Sequence, residues 1–120
     1  MAETAITVQT AKTPFEVIAA GGLDITFAAA DNVNGNKFAV TGREILIMRN
    51  DNVGAQTVTI NSVADEKNRE GDITAYSLAT GDYAIFTGGL TNARGWKQTD
   101  GTITLLASAA DIFVAAIRLP

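Results

Sequence analysis

Apolar residues recur at every second position along much of this chain, and that period decides what it can fold into. In Gln56-Thr57-Val58-Thr59-Ile60-Asn61, Val58 and Ile60 alternate with Thr57, Thr59 and Asn61. Successive side chains of a strand point to opposite faces, so this reads as a strand with one buried and one wet face. Thr4-Ala5-Ile6-Thr7-Val8-Gln9-Thr10 reads the same way, with Ile6 and Val8 turned inward. Two other runs, Ile45–Met48 and Ile112–Ile117, are apolar on both faces, and their β-branched content favours strand over helix. Such strands lie centrally in a sandwich, or have an outer face covered by a neighbouring subunit.

Turn signals punctuate these runs at short intervals: Gly21-Gly22, Asn34-Gly35-Asn36, Thr41-Gly42, Asn50-Asp51-Asn52, Gly71-Asp72, Gly81-Asp82, Gly88-Gly89 and Asp100-Gly101. The spacing predicts an all-β fold, a single-domain antiparallel β-sandwich or Greek-key barrel with short strands and little helix. Asp100-Gly101 is expected to form a type I′ turn joining Trp96–Thr99 to Thr102–Leu105 in a hairpin. Phe27–Asp31 and Leu106–Asp111 could each hold one helical turn, and neither is long enough for more.

At 120 residues the chain fits one domain, 1–120, which would bury about 65% of its unfolded surface. Pro14 cuts residues 1–13 off from Phe15-Glu16-Val17-Ile18. That stretch reads either as an ordinary first strand or as an N-terminal arm that adds itself to a neighbour's sheet edge. In the second case Ile6 and Val8 are the partner contacts.

The absences narrow the function. With no His and no Cys, Ser-His-Asp and Cys-His catalysis, thiolate chemistry, disulfides and the usual zinc sets are excluded. The three serines, Ser62, Ser77 and Ser108, sit in no nucleophile elbow, and no phosphate-binding glycine motif occurs. Most acids stand at turns, where Asp bonds its own backbone. No enzyme, cofactor or metal site is therefore expected. Asp31-Asn32-Val33-Asn34-Gly35-Asn36 departs from the calcium-loop pattern at Val33 and Gly35 and reads as a tight loop.

The net charge is −4, and the nine basic residues are scattered with no two adjacent. Nucleic acid and anionic membranes are thus not the expected partners. No run approaches the ~20 apolar residues that span a bilayer, and Met1–Thr10 lacks the basic start of a secretory signal. The mixed-charge run Asp65–Asp72 reads as a solvated loop or a protruding contact loop. Trp96, the single tryptophan, reads as a core anchor or as a stacking platform for a sugar.

From Asn50 onward the chain resembles a group of small virion structural proteins of tailed bacteriophages and prophages. The resemblance rests on Thr57–Asp65, Gly71–Tyr76, Gly95–Gly101 and Ile117–Pro120. It implies a structural part of the virion, made in the bacterial host cytoplasm, with a head decoration or cement role preferred. Its partners would be the major capsid protein or neighbouring virion subunits. Together with the two-sided strands, this leads to an expected homo-oligomer, with a trimer as the best guess. The alternatives are a head–tail joining or tail component and a small carbohydrate-binding or host-attachment module.

Overall fold

The computed structural model of the chain describes residues 3–12, 19–21, 24–63, 71–86 and 96–119. The strands are β1 Thr4–Ala5, β2 Val8–Thr10, β3 Ala28–Ala29, β4 Asn36–Ala39, β5 Glu44–Asn50, β6 Gln56–Ile60, β7 Ile73–Leu78, β8 Tyr83–Phe86, β9 Thr102–Ala107 and β10 Ile112–Arg118. One sheet has the order β1-β4-β9-β6-β7. The other has the order β2-β10-β5-β8, with β3 also bonded to β10. No helix occurs among the described residues. The chain is therefore the expected all-β sandwich.

The ladders are antiparallel except for β1–β4 and β2–β10, which run parallel. These two exceptions share one origin. β1 and β2 are consecutive pieces of a single extended segment that leaves one sheet and enters the other around Ile6 and Thr7. No hairpin ties either piece to its neighbour, so no turn imposes the antiparallel sense.

Alternation sets the core. β5 buries Glu44, Leu46, Met48 and Asn50 and turns Ile45, Ile47 and Arg49 outward. Facing it, Phe38, Val58, Ile60, Ile103, Leu105 and Ala107 come from the other sheet. Each large side chain so enclosed contributes about 1.5–3 kcal/mol. The two doubly apolar runs are neighbours in the middle of one sheet, β10 beside β5 from Ile112↔Asn50 to Arg118↔Glu44. Central placement accounts for one of their apolar faces. The other face is outward.

Loops are fastened by buried amides. The Asn50 side chain is wholly enclosed. Its Nδ2 donates to the carbonyls of Leu78 (2.8 Å) and Gly54 (3.0 Å), and its Oδ1 accepts from the Asn52 amide (2.8 Å). In the turn that leads into β4, Gly35 has a φ of +84°, and a Cβ there would lie 2.9 Å from the Leu105 carbonyl oxygen. Glycine is required at that point on both counts.

Three local expectations fail. Gly101 adopts a positive φ of +83° but Asp100 does not, so the turn is not type I′. Instead the Gly101 amide bonds the Gln98 carbonyl (2.9 Å) and the Gln98 amide bonds the Thr102 carbonyl (2.7 Å). That is a three-residue loop with its glycine in the left-handed conformation. Trp96–Thr99 is not a strand, because both edges of β9 are already taken by β4 and β6. Neither candidate helical turn forms: Ala28–Ala29 pairs with β10, and Leu106–Asp111 is divided between β9 and the turn that leads into β10.

Trp96 is half-buried and packs against the core cluster, which favours the anchor reading over the sugar platform. Trp96→Ala is expected to lower stability by about 3 kcal/mol, the low end for a buried aromatic, because the ring is only partly enclosed. Urea denaturation measures this, and an unchanged midpoint would place the ring outside the core. Pro14, Gly22, Gly88-Gly89 and most of the Asp65–Asp72 run lie outside the described residues.

Candidate interaction face

The outward side of the β2-β10-β5-β8 sheet is apolar across three strands. Register places Ile47 between Ile85 and Ala115, Arg49 between Tyr83 and Phe113, and Ile45 beside Ile117. Ile85 is 64% exposed and Tyr83 62% exposed, while Ile45, Ile47 and Ile117 are half-buried. Cross-strand apolar pairs of this kind normally face a core. Ile45, Ile47 and Ile117 help to line a groove of about 580 Å³, together with Gln9, Asp24 and Ile25 among others.

Residues 24–29 run along one border of this face and are pinned there. The Arg49 guanidinium lies 4.5 Å from the Phe27 ring centre and 4.7 Å from that of Phe113. Its Nε donates to both carboxylate oxygens of Asp51 at 3.2 Å. The charge is thus stacked and neutralised at once. Gln9 Oε1 accepts from the Thr26 amide at 3.1 Å, tying the same stretch to β2.

Two carboxylates elsewhere are satisfied by donors of their own chain. The Glu44 carboxylate is 0% exposed and accepts from the Thr41, Gly42 and Arg43 amides at 2.7, 3.0 and 3.1 Å. It also accepts from the Thr41 hydroxyl at 2.8 Å and from Arg118 Nε. Burial pushes this carboxyl up, but Arg118 and the Thr41 donors prevail and hold it at about 2. Asp31 accepts from the Asn34 and Val33 amides at 3.0 and 3.1 Å and from the Thr4 hydroxyl at 2.6 Å, which lowers its carboxyl to about 2. Its oxygens therefore meet N–H and O–H donors, the reverse of what a bound cation presents, as a tight loop requires. Among the described residues no three His, Cys, Asp or Glu side chains come together as a metal set.

The two residues singled out as partner contacts are not on this face. Ile6 is 6% exposed and belongs to its own chain's core, and half-buried Val8 packs against that core. The segment they occupy pairs with β4 and β10 of the same chain, as an ordinary first strand would. What sequence reasoning missed is β8. Tyr83-Ala84-Ile85-Phe86 carries the same two-sided apolar signal as β5 and β10, but in a run too short to stand out.

No helix among the described residues is long and apolar enough to cross a membrane. Comparison with protein-family models, with curated proteins and with solved structures gave no match.

Proposed function

We propose that this chain is a structural protein of a tailed-phage particle, working as a capsid decoration or cement protein rather than as an enzyme. The observation that carries the reading is the outward apolar set Ile45, Ile47, Ile85 and Tyr83 on one sheet, with Ile85 and Tyr83 the most exposed. Apolar surface gathered in this way is typical of a protein-binding patch. Its joint use by a homo-oligomer, with a trimer as the expected form, would multiply weak contacts into firm attachment to a repeating shell. The resemblance of the stretch from Asn50 onward to virion proteins supports the setting. Trp96, half-buried against the core, is less available for stacking on a sugar.

The test is quantitative protein analysis of purified particles, with binding of the wild-type chain and of Ile85→Glu to shells that lack it. Decoration requires a copy number close to that of the capsid subunit. Because Ile85 is exposed, Ile85→Glu is expected to keep its melting temperature within about 4 °C while losing at least about tenfold in affinity. A copy number of a dozen or fewer would point to a joining protein instead. Undiminished binding by Ile85→Glu would remove this face from the attachment.

A further inference from the structure

We propose that Thr4–Thr10 is an exchangeable strand, and that the slot it fills across both sheets accepts the same segment from a second copy of the chain. The inference stands on different residues from the outward apolar row and does not depend on where the protein works.

The segment is joined to the fold only at edges. β1 extends β4 through Thr4↔Asn36 and Ala5↔Lys37, and β2 extends β10 through Ala116↔Val8 to Arg118↔Thr10. Both pairings are parallel, so no turn couples the segment to the strands it lies against. Its fastenings are discrete bonds that an identical segment could also make: the Thr4 hydroxyl donates to Asp31 (2.6 Å), the Thr4 carbonyl accepts from Asn36 Nδ2 (3.3 Å), and Gln9 Oε1 accepts from the Thr26 amide (3.1 Å). The Thr4 amide bonds the Gly35 carbonyl (2.9 Å), the Ile6 amide bonds the Lys37 carbonyl (2.7 Å), and one fully buried side chain, Ile6, enters the core.

The slot is also held by contacts that do not involve the segment. On the β4 side, the Asp31 amide donates to Asn36 Oδ1 (2.8 Å) and the Gly35 amide donates to the Asp31 carbonyl (2.9 Å), fixing the loop that presents Gly35. On the β10 side, Arg118 is held by the buried Glu44 carboxylate, and β10 is bonded along its length to β5. A preformed strand acceptor that takes Ile6 into the core and Val8 against it is the arrangement that strand addition uses. The segment of a second copy would make the same bonds, so exchange sacrifices no contact and is governed by protein concentration.

The absence of cysteine makes this directly testable in the full chain. Ala5→Cys and Lys37→Cys are made as two separate variants, since these positions are paired in the β1–β4 ladder. The two are mixed, unfolded together, refolded at high concentration and oxidised. In an exchanged pair the thiols meet inside the slot at millimolar effective concentration. The mixed disulfide dimer should then exceed by about tenfold that formed by Ala5→Cys with Val53→Cys, whose position is fully exposed and outside the slot. A mixed dimer no more abundant than that control, from variants that regain a β-type circular dichroism spectrum, overturns the proposal. Should either variant fail to refold, Gln9→Cys with Ile117→Cys probes the β2–β10 half of the slot under the same criterion.

Discussion

Glu44→Ala is expected to lower folding stability by about 3–5 kcal/mol, which for a domain of this size means a fall in melting temperature of at least about 12 °C. The loss comes from what remains behind. Arg118 keeps its charge beside a buried void, and the amides of Thr41, Gly42 and Arg43 lose their acceptor in one step. Glu44→Gln keeps the shape and one acceptor oxygen, so it should cost less. It also isolates the ionisation. The carboxyl is held at about 2, against 4.5 for a free glutamate. Its contribution is therefore complete above the unfolded value and is lost as pH falls from about 4.5 towards 2. Wild-type stability should decline through that window more steeply than that of Glu44→Gln. Asp31, also at about 2, leaves a residual slope in both proteins. Urea denaturation at several pH values between these limits measures the difference. Identical slopes would mean that the cradle does not hold an ionised carboxylate.

Asn50→Ala should cost a similar amount, about 3–5 kcal/mol, for a neutral group. One amide ties two loops together: it satisfies the carbonyls of Leu78 and Gly54 and the amide of Asn52. The backbone of the same residue bonds Asp82 and Gly81. Removing the side chain leaves the Leu78 and Gly54 carbonyls and the Asn52 amide without this partner, and the Leu78 bond is buried. Asn50→Asp should fare no better, since it offers no donor to either carbonyl and places negative charge against both. Thermal unfolding ranks the two variants. Amide hydrogen exchange should show local loosening at Asp51 and Gly81 first. A loss below about 1 kcal/mol for Asn50→Ala would show that water replaces the amide readily.

The alternation of Val58 and Ile60 against threonines, and the two-sided runs at Ile45–Met48 and Ile112–Ile117, carried the fold class in the sequence itself. They did so because side-chain direction in a strand depends on the backbone alone. Partnership was not legible there. That β1 and β2 divide between two sheets depends on where Ile6 finds its hole, and that Trp96–Thr99 stays irregular depends on both edges of β9 being occupied. β3 consists of two alanines, which carry no period at all. Glu44 directly precedes the apolar run Ile45–Met48 and carries no signal of its own. The Thr41-Gly42 turn ahead of it was visible, but the convergence of three amides on one carboxylate was not. The outward face was half legible: its β5 and β10 portions were expected to need cover, whereas Tyr83 and Ile85 come from a four-residue strand.

β10 bonds to β2, β3 and β5, so three strands made early wait for one made late. During translation, at about 5–20 residues per second, residues 4 to 50 leave the ribosome seconds before Ile112–Arg118 exist. Through that interval the backbone donors of β5 on the β10 side have no ladder to join, and Leu46 and Met48 have only half of their enclosure. The nascent chain is thus exposed to pairing with other nascent chains, and the yield of soluble protein should depend on how densely ribosomes load the message.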